Sequence, residues 1–300
     1  MVSWLIVIIL AYLFFGLSSL GDKLVLSGKP EPKSYTFYVG VLSLFVIVLI
    51  PFVKFGFPDN VSLFWIIIDS LAHIIGVYTM FVAIEKFDVS KVVTTLGATQ
   101  PIFIFLLTWI FFGPQIMPVL DIIAFIILFL ASLIISIDKN IEITGYYLKI
   151  TTFSSLMFSL DYIFSKFVFL GQPFWQGIIW MRLCVFLLVL VFLFSKKSRK
   201  QIFAKRMIID KKTQTFFVWA QASGAAANLL QSFAIFLAPI AFLATVNSLR
   251  GIQYVFIFLA TIFLSYFFPK ILKESISKRV IFQKIASIIL IVAGLVILAN

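Results

Sequence analysis

The sequence predicts an all-α integral membrane protein: ten transmembrane helices arranged as two inverted five-helix repeats. Three observations carry that expectation. Of the 300 residues, 62% are hydrophobic and only 12% charged, with a mean hydropathy of +1.14. A soluble domain is nearer half apolar and a quarter charged. The apolar residues come in runs of about 18 or more with few charges, long enough to cross a bilayer as helices. A β-barrel would need short alternating segments, and there are none. The third observation is that Gln100–Thr108 (Gln-Pro-Ile-Phe-Ile-Phe-Leu-Leu-Thr) returns as Gln253–Thr261 (Gln-Tyr-Val-Phe-Ile-Phe-Leu-Ala-Thr) at an offset of 153.

In chain order the predicted spans are 2–22, 35–55, 63–85, 89–112, 117–137, 145–169, 174–195, 214–237, 240–268 and 281–299. Met1-Val2-Ser3-Trp4 lacks a basic n-region and no small-residue cleavage site follows, so the first run reads as a span, not a signal peptide. Breaks are marked at Gly28-Lys29-Pro30, Phe57-Pro58-Asp59, Gly113-Pro114, Gly171-Gln172-Pro173 and Ala238-Pro239. The longest connection, Ser195 to Thr213, holds eight Lys or Arg and is expected on the membrane surface.

Two further repeats support the duplication. Phe15–Lys23 matches Phe158–Lys166 at an offset of 143, and Ile123–Ile135 matches Ile285–Ile297 at 162. The halves are therefore 1–140 and 141–300. Because five is odd, the second half must enter the membrane upside down. Inverted repeats are a mark of secondary transporters, which bind substrate near the midplane at the repeat interface.

The net charge of +12 does not indicate nucleic acid, because the charges sit in short loops. Twenty of the 24 Lys and Arg fall on one side of a ten-span topology. The positive-inside rule makes that side cytoplasmic and places both termini outside, in the cytoplasmic (inner) membrane. Cys184 is the one cysteine, so no disulfide framework or thiol metal site is expected.

Polar residues inside apolar spans need a reason. Arg250 lies in the middle of span 9 between Asn247 and Gln253, and a guanidinium there suits a carboxylate or phosphate. The alternative is a structural ion pair with a carboxylate such as Asp161, itself also a cation-site candidate. Asp69 and His73 are four apart on span 3 and share a face. They read either as a proton-coupling pair, since His titrates near neutral pH, or as a local hydrogen-bonded pair. Gln100, Asn228, Gln231 and Tyr78 complete the candidate substrate-binding set. Tyr12, Tyr162 and Trp180 are further aromatic candidates for a pocket wall. Pro101 frees a backbone carbonyl and permits a hinge in span 4. The small residues of span 8, Ala220 to Ala227, allow close packing. The symmetry fails where Gly97 stands opposite Arg250 and Tyr254 opposite Pro101.

The chain resembles the EamA-type transporters of the drug/metabolite transporter superfamily. The resemblance rests on the aromatic-Gly/Ser…Lys pattern closing spans 1 and 6, on Arg182 early in span 7, and on Pro101. The small pairs Ala131-Ser132 and Ala293-Gly294 add to it. Val39 stands where the counterpart of Arg182 would fall. The resemblance implies ten helices and export of small metabolites such as amino acids.

There is no G-x-x-x-x-G-K-[ST] phosphate loop, no H-E-x-x-H metal site and no nucleophile triad. The expectation is a secondary transporter: not an enzyme, with no cofactor, metal or nucleic-acid partner. It would act as a monomer on a small molecule in the lipid bilayer. A flippase or scramblase of lipids or lipid-linked carriers is the alternative.

Overall fold

The computed structural model describes residues 2–25, 31–87, 89–136, 144–203, 211–267 and 278–299, with side chains over slightly shorter stretches. The described residues are helical, with no strand among them. The elements are α1 (Val2–Val25), α2 (Pro32–Leu42) continued by a 3-10 segment (Ser43–Phe52), α3 (Asn60–Lys86), α4 (Val89–Phe112), α5 (Val119–Ser136) and α6 (Gly145–Gly171). Then follow α7 (Phe174–Val189) with its own 3-10 extension (Leu190–Phe194), α8 (Lys196–Ile202), α9 (Lys211–Leu237), a 3-10 turn (Ile240–Phe242), α10 (Leu243–Ser248), α11 (Gly251–Phe267) and α12 (Lys278–Ala299). Each predicted span coincides with a helical segment. Seven of these segments, among the described residues, are long and apolar enough to cross a membrane, while the apolar stretches in α5 and α12 are shorter. Large apolar side chains such as Phe45, Phe52, Trp109, Ile110, Leu187 and Phe194 are exposed, as expected where lipid is the solvent.

The predicted breaks at 57–59, 113–114, 171–173 and 238–239 all interrupt helices. Gly113 ends α4 with φ at 76°, a left-handed conformation that costs glycine little. Local caps start several helices. The Asp59 carboxylate accepts from Ser62 N–H, Thr144 from Tyr147 N–H and Ser195 from Ser198 N–H, each satisfying an orphan donor of a first turn. The short basic α8 lies inside the Ser195–Thr213 connection expected on the membrane surface. The break at Gly28-Lys29-Pro30 and the basic residues Lys139, Lys205, Arg206, Lys270 and Lys273 lie outside the described residues. So do the side chains of Lys23, Lys211, Lys212, Lys278 and Arg279.

The chain forms two compact units, one holding α1, α5 and α9 to α12, the other α2 to α4 and α6 to α8. The halves 1–140 and 141–300 describe a repeat in sequence, whereas each compact unit draws on both halves. In the first unit α1 packs along α9 and α11, and α5 along α12. Small residues let them approach closely. A Cβ on Gly16 would lie 2.5 Å from the Phe256 ring, and one on Gly294 would lie 2.7 Å from Leu128. In the second unit α3 packs along α6 and α7, with α2 against both α3 and α7. There Gly40 faces Val189, and a Cβ on Gly76 would lie 3.1 Å from Phe158. A buried cluster of Ala83, Ile84, Val92, Leu96 and Tyr147 ties α4 to α3 and α6.

Two spans stand out at the backbone. Pro101 permits a hinge in span 4, and α4 is helical without interruption through it. Span 9, read as 240–268, is broken at Leu249 and Arg250 between α10 and α11. A proline leaves one carbonyl unpaired, a defect that a helix with packed neighbours absorbs. The break at Arg250 instead comes from a run of hydrogen bonds that reach back only three residues.

Candidate functional site

The first polar constellation lies in the unit of α1 and α9 to α12, around that break. Arg250 N–H donates to the Asn247 carbonyl (3.1 Å), Ile252 N–H to Leu249 (3.0 Å) and Gln253 N–H to Arg250 (3.0 Å). Each partner is three residues back instead of four, so the helix tightens and the Val246 carbonyl loses its regular partner. The Tyr12 hydroxyl from α1 takes that place, donating to Val246 O at 3.1 Å with Asn247 O at 3.3 Å. Tyr12 is wholly buried, and its hydroxyl also meets the side chains of Gln231 and Arg250, with Tyr254 near by. Span 9 thus presents irregular backbone that is enclosed by protein, a setting in which a bilayer tolerates it.

Asn247 and Thr245 are each 1% exposed. Neither the Asn247 amide nor the Thr245 hydroxyl has a hydrogen-bond partner among the described residues. An unsatisfied buried polar group costs about 1–3 kcal/mol, so these two groups next to Arg250 are a local energetic defect. Gln253 is buried and donates to Ser19 Oγ at 3.1 Å. Asn228 is engaged with its own helix, donating to Gly224 O at 2.8 Å. Gly251 opens α11 where a Cβ would lie 2.9 Å from Ile291, so α12 packs close against the residue after Arg250.

The second constellation lies in the other unit, between α3 and α6. His73 and Asp69 share a face of α3, but neither is the other's partner. His73 Nδ1 lies 3.3 Å from Asp161 Oδ2, and Asp69 Oδ1 accepts from Ser165 Oγ at 2.8 Å. The expected local pair is therefore a pair of interhelical contacts. Asp161, offered as an ion-pair partner for Arg250, has His73 as its partner. Asp69 also interacts with Asp161 and Arg182. Tyr78 meets Phe192 at a tilt, with ring centres 6.2 Å apart. Gln100 is buried, and its carbonyl accepts from Ser159 Oγ at 3.4 Å.

The ten candidate residues therefore divide between two clusters and their margins. Arg250, Asn247 and Gln231 converge on Tyr12, with Gln253 and Asn228 at the edges. Asp69, His73 and Asp161 converge on the α3–α6 interface. Sequence reasoning missed Thr245 and Ser165, and it placed Tyr12 only among aromatic residues. The signals were faint: Ser165 is four residues after Asp161, on the same face, and Thr245 is two before Asn247.

No family model and no curated protein matches this chain. Among the solved structures that match is a crystal structure described only as that of a protein, with a TM-score of 0.65 at 13% identity, covering 98% of this chain and 96% of its own. At that identity the likeness shows the fold alone.

Proposed function

We propose that the chain is a secondary transporter, an exporter of small metabolites such as amino acids. It spans the cytoplasmic membrane ten times as two inverted five-helix repeats, with both termini outside, and works by alternating access as a monomer. The observation that carries this reading is Arg250, set at an interrupted helix beside the Asn247 amide, which is unsatisfied among the described residues. Broken helices whose ends and freed carbonyls meet a solute are the usual form of a transporter site. Arg250 would hold a carboxylate, with Asn247, Thr245, Gln231 and Tyr12 supplying uncharged hydrogen bonds.

Paired features of the two halves support the repeat. The first helix of each half packs along the third helix of the other: α1 on α9, and α6 on α3. The fifth helices, α5 and α12, pack on each other. The second helices, α2 and α7, both end in 3-10 turns and meet where Gly40 faces Val189. Gln100 and Gln253, which open the repeated segment, are both buried and both contact a serine, Ser159 on α6 and Ser19 on α1. Two halves related in this way can exchange conformations and supply inward-open and outward-open states of similar energy.

The test is exchange in proteoliposomes, with a panel of labelled amino acids and other carboxylates trapped inside and offered outside. Saturable exchange of at least one solute, above protein-free vesicles, is expected. Movement of labelled lipid with no solute exchange would contradict the reading.

A further inference from the structure

Span 7 leads directly into a short basic helix that neither polar cluster uses. The apolar stretch from Phe174 ends at Phe194, and α8 (Lys196–Ile202) follows after Ser195. A helix of 7 residues is marginal in water by itself, so its contacts are what hold α8. Ser195 caps its start, accepting from Ser198 N–H. At its other end the Gln201 carbonyl lies 3.1 Å from Ser34 Oγ, and the Tyr38 hydroxyl donates to the Ile202 carbonyl at 2.9 Å. Ile202 is buried with Phe37 of α2 and Val189 of α7. Ser198 is buried as well and accepts from Lys33 Nζ at 3.4 Å.

The two buried side chains share one face. Successive helical residues turn by about 100°, which puts Ser198 and Ile202 within about 40° of each other. Lys196, Lys197, Arg199 and Lys200 occupy the opposite arc, and all four are exposed. Glu31, the carboxylate in this hydrogen-bond network, lies 3.2 Å from Ser34 Oγ of α2. The whole connection from Ser195 to Thr213 sets eight Lys or Arg against one acidic residue, Asp210. At the two ends of α8, Phe194 and Phe203 are 86% and 64% exposed, although Phe203 also meets the Phe37 ring edge-on.

A solvated charge run would account for the cations and not for these rings. Exposed rings flanking a basic helical face are the composition of a segment that lies in the membrane interface, rings toward the acyl chains and cations at the headgroups. Basic clusters placed directly after a membrane span meet the charge of anionic headgroups. The partner that fits is therefore anionic at its surface and apolar just beneath it. A nucleic acid offers the charge without the apolar layer.

We propose that the outer face of α8 binds anionic phospholipid of the adjoining leaflet. Lys196, Lys197, Arg199 and Lys200 meet the phosphates, and Phe194 and Phe203 enter the acyl region. Because α8 is anchored on both α2 and α7, lipid held there also steadies the contact between those two helices. The assignment does not rest on the transporter reading or on Arg250.

The test uses the full-length protein in lipid nanodiscs, which leave both faces accessible. In a Cys184→Ala background, Phe203→Cys carries a fluorophore that is quenched on contact with brominated acyl chains. Brominated phosphatidylglycerol should quench it at a mole fraction at least about fivefold lower than brominated phosphatidylcholine does, the scale of one cation at a charged surface. High salt should shrink that preference. Combining Lys196→Gln, Lys197→Gln, Arg199→Gln and Lys200→Gln should abolish it, with folding established by circular dichroism and monodispersity. A label at Lys149→Cys on α6 should respond alike with and without the four substitutions. Equal quenching by the two lipids in the parent protein overturns the proposal and needs no further variant. So does a preference that survives in the folded fourfold variant. A DNA duplex that binds in phosphatidylcholine nanodiscs and displaces phosphatidylglycerol when it is present would assign the face to a soluble polyanion, and would overturn the proposal too.

Discussion

The Tyr12 hydroxyl donates to the Val246 carbonyl at 3.1 Å, across 234 positions of the chain. That single contact occupies the carbonyl that the break at Arg250 releases, so it ties α1 to the interruption of span 9. Tyr12→Phe keeps the ring and removes the donor. The expected cost is about 1 kcal/mol, the scale of side-chain hydrogen bonds inside membrane proteins. It should appear as a lower midpoint of thermal unfolding in detergent. An unchanged midpoint would mean that another donor serves Val246.

The approach of α1 to α11 depends on Gly16, where a Cβ would meet the Phe256 ring at 2.5 Å. Gly16→Ala should destabilise the protein by about 1–3 kcal/mol through overpacking. The Phe256→Leu background should recover part of that loss, because it removes the ring the methyl meets. Gly56→Ala is the matched control, since a Cβ there has nothing within 4 Å, and it should be neutral. Equal effects at Gly16 and Gly56 would contradict the packing.

At the start of α3 the Ser62 hydroxyl and backbone N–H hold the Asp59 carboxyl below the usual carboxylate range. A folded-state pKa below the unfolded value, which is about 3.9, adds stability above that value. The contribution is lost as pH falls through the folded pKa. Unfolding midpoints of wild type and Asp59→Ala should therefore differ slightly at neutral pH and converge in strong acid. A gap that widened in acid would reverse the sign of the argument.

Orientation follows from the charge asymmetry. In a Cys184→Ala background, a cysteine at Lys54 should react with an impermeant thiol reagent added to intact cells. One at Lys197 in α8 should react only after the membrane is opened. The reverse pattern would turn the chain over and place both termini in the cytoplasm.

The helices were legible because each depends on local information: apolar run length, and the Gly, Pro and charged residues between runs. The clusters were legible only in part. Polar residues in apolar spans mark themselves, so Arg250, Asn247, Asp69, His73 and Asp161 stood out. Their partners did not, because His73 meets Asp161 across 88 positions and Asp69 meets Ser165 across 96. Helical spacing suggested that Asp69 and His73 pair with each other, yet tertiary packing gave each a better partner on α6.

Pro101 and Arg250 show the same limit from the backbone side. Proline is the one residue whose chemistry announces a break, and α4 passes through it intact. Nothing local at Leu249 and Arg250 forbids an ordinary helix. The tightened turn stands with Tyr12 on Val246, a residue from the other end of the chain. A break stabilised by a distant partner has no sequence mark.

Arg250 is where the account is most exposed. The direct measurement is counterflow of labelled amino acids in proteoliposomes, with wild type and Arg250→Gln side by side and labelled lipid followed in parallel. The account predicts saturable solute counterflow by the wild type, a loss of about tenfold or more when a charge-assisted carboxylate contact is removed, and no lipid movement by either protein. Equal counterflow by the two proteins, or lipid movement without solute exchange, would contradict it.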